Sequence, residues 1–500
     1  MNKPIKKVVI AGGGTAGWMA AATIGKILGK VLDITLVESD QISTIGVGEA
    51  TIPPLITFHR LLDIKEQEFM AATQATFKLG ISFENWHDVG KDYIHSFGVT
   101  GKDHWTAGFQ HFWLKDRARG SKVPYGDYCL ELRASEESRF AHLPKQGLNY
   151  AFHLDATVYA QYLRKFSESF GVKRVEGKIC EVGKNGQTGH IESLTLEGGR
   201  VIEGDLFIDC TGFRGLLIEQ SLHTGYEDWS HWLICDSAVA VQTAADSDPI
   251  PYTRSIAYQS GWQWRIPLQQ RVGNGLVYCS RYIDDEDARE LLFNNISGTQ
   301  LTKPLQIRFS PGARRRTWHK NVIALGLASG FIEPLESTSI HLISRNLIRL
   351  MQNFPHSGIN QREIDEFNRQ ARTEIEQIRD FIILHYKVTD RQDSPFWRHC
   401  QSMSVPASLE HRIELFRKTG KVHKEPGELF AENSWIQVML GQGIVPEQYH
   451  PTADVMSDKE LTGFMQGIKG NVDRTLARLP KHADYIKQYC PARDKPSAKT

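Results

Sequence analysis

Val8-Val9-Ile10-Ala11-Gly12-Gly13-Gly14-Thr15-Ala16-Gly17-Trp18 decides the fold of this 500-residue chain. Its first four residues form the short apolar run typical of a buried parallel strand. Three glycines follow, and across 18–28 apolar residues recur at helical spacing. Asp33–Glu38, with Ile34, Leu36 and Val37 apolar, reads as a second strand. Strand, tight turn, helix and strand make a βαβ unit, which predicts an α/β architecture.

Inside that unit, Gly12-x-Gly14-x-x-Gly17 follows a strand and opens a helix, and Glu38 lies 21 residues past Gly17. Gly12 permits the tight turn, Gly14 lets a pyrophosphate approach the backbone, and Gly17 allows the helix to pack on the strand. The helix start, Thr15 and Ala16 included, offers unpaired N–H groups and a positive dipole to phosphates. Glu38 can accept hydrogen bonds from a ribose. Alone the glycine pattern is weak; between two strands it reads as a dinucleotide site.

Outward from this unit, residues 41–54 are rich in glycine and proline and read as a loop. Residues 55–77 look helical, 86–150 show no clean period, and 155–170 read as a helix. Short strands are expected near 172–175, 179–182 and Ile191–Leu196. A hairpin at Gly198-Gly199 precedes another strand, Leu206–Asp209. A β-rich stretch covers about 230–310, 322–326 resembles a final strand, and 340–350 begins a long helix. From 362 onward the pattern is mostly helical, most clearly over 363–385, and 491–500 read as a frayed end. The expected organisation is a module over 1–350, interleaved with β-rich segments near 86–150 and 230–310. A mostly helical region over 351–500 completes it.

Composition bounds the function. Apolar residues are 41% and charged residues 23%, and net charge is only +1, so no general attraction to nucleic acid or anionic membrane follows. No apolar run is long enough to span a bilayer, and the one after the basic N-terminus is too short for a signal peptide. Seven scattered cysteines lack CxxC spacing, and no His/Asp/Glu set has ligand spacing, so neither a disulfide framework nor a metal is expected. These features predict a cytoplasmic protein.

Four further stretches carry chemistry. Gly46-Val47-Gly48-Glu49-Ala50-Thr51-Ile52-Pro53 is a flexible segment near the nucleotide site, and Asp209-Cys210-Thr211-Gly212 ends a strand. Both look like parts of a flavin monooxygenase-type FAD fold, although either alone is equally an ordinary turn. Gly261-Trp262-Gln263-Trp264-Arg265-Ile266-Pro267 would place both tryptophans on one face of a strand, as a wall or as plain core. Glu333-Pro334-Leu335-Glu336-Ser337-Thr338-Ser339 puts an acid and hydroxyls before a helix, where an acid also simply suits the dipole.

Trp-x-Trp-x-Ile-Pro resembles the signature of the flavin-dependent halogenases of the tryptophan halogenase type. Thr76-Phe77-Lys78-Leu79-Gly80 resembles that family's lysine segment, and Glu333 to Ser339 its glutamate and halide segment. With Asp236-Ser237-Ala238-Val239-Ala240 and Asp393-Ser394-Pro395-Phe396-Trp397, the likeness spans nearly the whole chain in the right order.

The resemblance implies an FAD-binding Rossmann-like core with an inserted mixed sheet. It implies an enzyme that uses reduced FAD (FADH2), oxygen and chloride or bromide to make hypohalous acid, which halogenates an electron-rich aromatic. Lys78 would hold the oxidant beside the substrate, from a buried position joined to the flavin by a passage. Glu336 would stabilise the cationic intermediate and accept the ring proton. Glu49, Ala50, Ile179, Leu327 and Ile340 would line the flavin, and Thr338 and Ser339 would perch the halide on backbone N–H groups. Ser339 departs from the usual glycine, which puts the halide pocket in doubt there.

On the substrate side, Trp435-Ile436 stand where tryptophan-specific members carry paired tyrosines. Neither residue binds a carboxylate well, so an indole-like aromatic is expected over free tryptophan. No second glycine fingerprint exists for a nicotinamide nucleotide, in line with a separate flavin reductase, and a homodimer is allowed. His104, Trp105 and His111 fall in the region without a clear period, where packing is at least as good a reading. An FAD hydroxylase and a non-catalytic flavoprotein are the rival functions.

Overall fold

The computed structural model describes residues 4–42, 48–144 and 147–492. Met1 to Lys3, Gly46 and Val47 of the glycine-rich segment, and 493–500 of the expected frayed end lie outside them.

The opening apolar run is the strand Lys7–Ala11, with Val8 to Ala11 buried. It sits inside a six-stranded sheet whose order is Trp318–His319, Val322–Ala324, Leu206–Asp209, Lys7–Ala11, Asp33–Glu38, Lys173–Glu176. All neighbours are parallel except the Trp318–His319 edge. Ala11 pairs with Val37 on one side and Asp209 on the other. That register brings Gly12, Glu38 and Cys210 to one rim, at the carboxyl ends of the strands, where α/β sheets bind ligands. The helices Thr15–Leu28, Ala156–Glu168 and Ser339–Gln352 bury their apolar faces in one cluster with this sheet.

A second, seven-stranded sheet runs Leu305–Arg308, Ser237–Ala244, Arg271–Tyr278, Gly261–Pro267, Tyr252–Tyr258, Gly80–Glu84, Asp92–Ser96. It is antiparallel apart from the parallel pair Tyr252–Tyr258 with Gly80–Glu84, and so is mixed as expected. A small antiparallel sheet, Gly48–Ala50, Ala151–Asp155, Thr76–Lys78, carries Glu49 and Lys78 on its two outer strands. Beyond residue 360 the chain is helical, led by the 27-residue helix Gln361–Lys387. Its buried face, with Phe381, Ile382 and Tyr386, packs into a core that also holds Trp86, Trp262, Trp264, Trp397 and Trp435.

Three local expectations need correcting. Residues 55–77 are not one helix: Pro54–Leu61 and Glu66–Thr73 are separated by Asp63, held at φ 57°, and Thr76–Lys78 is a strand. The breaks fall at Asp63 and Gln74, non-glycine residues in the left-handed region, which no glycine or proline in the sequence announces. The 41–54 stretch contains the strand Gly48–Ala50, which the pairing partner Ala151–Asp155 stabilises from a hundred residues away. Within the β-rich stretch, Asp285–Asn294 is a helix, capped by the Asp284 side chain on Glu286 N and Asp287 N.

Candidate active site

A cavity of about 530 Å³ runs from the rim of the parallel sheet to the face of the mixed sheet. Its lining contains Gly12, Gly14, Thr15, Ala16, Glu38, Glu49, Ala50, Ile179, Leu327, Thr338, Ser339 and Ile340. Gly12 sits at φ 103°, a conformation that favours glycine, and a Cβ there would lie 2.3 Å from Cys210 O. Gly17 is buried under the turn, where a Cβ would lie 1.9 Å from Gly12 O. The helix Thr15–Leu28 has Gly14 as its N-cap and no side chain capping its first N–H groups, so these remain for a ligand. Glu38 accepts from Arg174 Nε at 2.5 Å and is approached by Trp18 Nε1 at 3.4 Å, which fixes the carboxylate on the rim. Burial raises the Glu49 carboxyl to about 7. This glycine cradle, opening on a mostly apolar cavity of ligand size, fits the dinucleotide half and the ring of FAD.

Bordering the cavity is the turn Pro334–Glu336, followed by Ser337 at φ 59° and the helix Ser339–Gln352. Pro334, Ser337, Thr338 and Ser339 all line the cavity. The helix has no side-chain cap, so its first N–H groups and its dipole make an anion perch suited to a halide.

Lys78 lies behind Ser337. It is 0% exposed, and its ammonium donates to Thr51 O at 3.1 Å and to Ser337 Oγ at 2.9 Å. The Phe97 ring centroid is 5.3 Å from Nζ, an added cation–π contact. Two bonds leave one of three N–H donors for a guest. Burial lowers the ammonium to about 7, while the nearby Glu336 charge holds it up.

Glu336 is also 0% exposed. His95 Nδ1 lies 3.0 Å and 3.1 Å from its two oxygens, and His385 Nε2 lies 2.8 Å from Oε1. A carboxylate only accepts, so His95 donates from Nδ1, and its Nε2 is buried without a partner. Tyr93 Oη reaches His385 Nδ1 at 2.9 Å and so orients the second imidazole. Burial opposes the charge on Glu336, yet the two histidines outweigh it and hold the carboxyl down at about 2.

The tryptophan motif forms the strand Gly261–Pro267, and Trp262 and Trp264 both line the cavity, with ring centroids 6.2 Å apart. Trp262 Nε1 donates to the buried Glu333 at 3.1 Å, and Tyr386 Oη donates to the same carboxyl oxygen. Burial raises Glu333 to about 7.

Trp435 is buried away from the cofactor cavity, edge-on to Phe381 at 4.8 Å, with its Nε1 unpartnered. Arg412 covers its ring at 4.2 Å, and the Arg412 charge is taken up by the buried Glu428, with contacts of 2.5 Å and 3.2 Å. Phe381 stacks on Phe430 at 3.8 Å and lies 5.5 Å from the His95 ring, so this aromatic group borders the Glu336 carboxylate. His111 is buried in the helix Phe109–Ala118 beside His450, and Trp105 is exposed at a turn closed by His104 and Ala107.

The structure therefore gathers the predicted flavin and halide residues round one cavity and sets Lys78 and Glu336 behind its Ser337 wall. It keeps Trp435 out of that cavity. Sequence reading missed Thr51, Ser337, His95, His385, Tyr93, Phe97 and Glu333 as functional neighbours. Thr51, Ser337 and Glu333 stood inside quoted motifs; the others are single residues whose only signal is their meeting in space. Among the described residues no three His, Cys, Asp or Glu side chains come together as a metal site, no helix is long and apolar enough to cross a membrane, and all seven cysteines are free.

A Rossmann-like cradle feeding a cavity walled by paired tryptophans, with a buried lysine and carboxylate behind its Ser337 wall, defines a flavin-dependent halogenating enzyme. The comparisons agree. The family model for tryptophan halogenase matches residues 7–458. A flavin-dependent halogenase of Xanthomonas campestris is similar at 61% identity and TM-score 0.97, over 99% of this chain and 100% of that one. A second, from Brevundimonas sp. BAL3, is 42% identical at TM-score 0.93, covering 97% and 99%. A tryptophan 7-halogenase of Lentzea aerocolonigenes is 35% identical over 98% of this chain and 99% of its own. The chain belongs to the tryptophan halogenase family, and its cofactor is FAD, used reduced with halide.

Proposed function

We propose that this chain halogenates an indole-like aromatic by electrophilic substitution, with Lys78 and Glu336 as its catalytic residues. The observation that carries the reading is the burial of Lys78 behind Ser337, bonded to the residue that follows Glu336. Reduced FAD, when bound, supplies with oxygen the two-electron oxidation that turns halide into hypohalous acid. Gly12, Gly14, Thr15, Ala16, Gly17 and Glu38 hold its nucleotide half; Glu49, Ala50, Ile179, Leu327 and Ile340 pack its flavin side.

Thr338 and Ser339 hold the halide at the helix start. Lys78 donates its remaining N–H to the oxygen of hypohalous acid, which polarises the halogen towards the ring. Glu336 faces the positive charge that grows on the ring and takes the proton lost when aromaticity returns. Its two imidazole partners keep it an anion until that proton arrives. Water is kept out by the burial of both groups, which strengthens each interaction.

An indole-type substrate is favoured over free tryptophan. Trp435 offers one indole N–H and no acceptor, and Glu428 neutralises Arg412, so the cation over this ring is not free for a carboxylate. A separate NAD(P)H-dependent reductase supplies the reduced flavin, the protein works in the cytoplasm, and a homodimer is its proposed assembly. The FAD module spans 1–350, and 351–500 complete the substrate pocket.

The test supplies reductase, FAD, NADH, oxygen and an indole panel, with chloride or bromide present or omitted. Halogen isotope patterns in the product support the proposal. Oxygen incorporation instead would replace it with a hydroxylase, and no turnover with a non-catalytic flavoprotein.

A further inference from the structure

We propose that Glu333 is a positioning residue for halogenation, which through one carboxyl oxygen ties the tryptophan wall of the cavity to the turn carrying Glu336. The proposal rests on the halogenation reading and adds a residue that touches none of the reacting atoms.

Glu333 is 0% exposed, and its Oε2 accepts from both Trp262 Nε1 and Tyr386 Oη. Trp262 lines the cavity, as does Pro334, the residue after Glu333. Tyr386 follows His385 in the helix Gln361–Lys387, and His385 Nε2 is the 2.8 Å contact of Glu336. Consecutive residues of one helix thus grip two carboxyl groups three apart in one tight turn. The strand Gly261–Pro267 is bolted to the same oxygen. Three elements distant in sequence meet at Glu333, and a shift there moves the wall and the Glu336 carboxylate together.

The chemistry of the pocket selects a neutral acceptor. Oε1 is buried with no partner, and burial raises the carboxyl to about 7. The titratable groups facing it are Tyr386 and the thiols of Cys235, Cys279 and Cys400, all pushed upward by burial. Glu333 is therefore the group of this set that titrates near neutrality. Gln at this position keeps an oxygen for both donors, whereas Leu leaves two buried donors without an acceptor.

The experiment compares Glu333→Leu, Glu333→Gln and Tyr386→Phe in the full-length protein. Expected are a fall in kcat of about 10- to 100-fold for Glu333→Leu from misplacement of the reacting groups, with KM for the aromatic unchanged. Tyr386→Phe shows a smaller loss of the same kind, and Glu333→Gln recovers most of the rate. Independently of turnover, the Trp262 indole N–H resonance in 15N-tryptophan-labelled protein moves with a midpoint near pH 7, and the movement vanishes in Glu333→Gln. Full activity in Glu333→Leu, or a Gln variant as poor as Leu, overturns the proposal. If Glu333→Leu does not fold, an unimpaired Tyr386→Phe or a Trp262 resonance indifferent to pH overturns it as well. A wild-type protein that halogenates nothing overturns the halogenase reading instead, and the resonance still tests the Glu333 to Trp262 bond.

Discussion

The Lys78 ammonium donates to the Ser337 hydroxyl at 2.9 Å, and so a strand near residue 78 is joined to the residue after Glu336. Ser337 also lines the cofactor cavity, which makes it the partition between the flavin side and the lysine. Lysine, partition and carboxylate form one buried polar unit in which each group sets the position of the next.

Removing the Lys78 charge tests that unit most directly. Lys78→Met keeps the length and apolar stem but donates nothing, and halogenation should fall by about 10²- to 10³-fold, as when an oriented donor is lost. FAD binding, followed by quenching of flavin fluorescence, should stay unchanged, because Lys78 does not line the cavity. Wild-type product yields from Lys78→Met would sink the assignment.

Glu336→Gln should lower kcat by about 10²-fold with little change in KM, since the charge acts on the developing cation and less on the bound ring. Two histidines lose an ionic partner in this variant, so its melting temperature should also drop. A calorimetric scan beside a steady-state assay separates the two effects.

The pH profile follows from Lys78. Its folded value of about 7 lies below the ordinary 10.5, so the ammonium is lost as pH rises through 7. Halogenation should decline on that alkaline limb. The unfolded chain binds more protons between about 7 and 10.5, so the same group makes folding more favourable as pH rises across that window. Glu336, held at about 2, stays ionised over the working range and contributes no limb there.

Substrate choice is read by kcat/KM ratios. Indole should exceed free tryptophan by about tenfold or more, the scale set by an unpaired polar group in a closed site. Equal turnover of the two would remove the Trp435 argument.

Gly17→Ala should destabilise the protein by about 1–3 kcal/mol, the usual range for an overpacked core, because its Cβ would press on Gly12 O. Flavin affinity should weaken with it, since the same turn shapes the phosphate cradle. Chemical denaturation with and without FAD measures both.

Much of the nucleotide site was legible because it is local. The strand, glycine turn, helix and Glu38 stand within 32 residues, from Lys7 to Glu38, and their spacing alone implies a rim with free N–H groups. The Trp262 and Trp264 pair was legible for the same reason, since alternation in a strand puts both on one face. The helix expected over 55–77 failed because its breaks fall at Asp63 and Gln74, which take left-handed backbone without being glycine. His95, His385 and Tyr93 had no local signal at all.

The order of residues by itself determined the βαβ unit, the glycine cradle, the tryptophan face and the acid at a helix start, because each is a relation between near neighbours with a fixed geometric period. Only tertiary structure decided that Lys78 meets Ser337, that two imidazoles clamp Glu336, and that Arg412 over Trp435 is spent on Glu428. Those contacts join positions 16 to 259 residues apart. Long-range pairing depends on how sheets and helices pack, and no period in the chain encodes it.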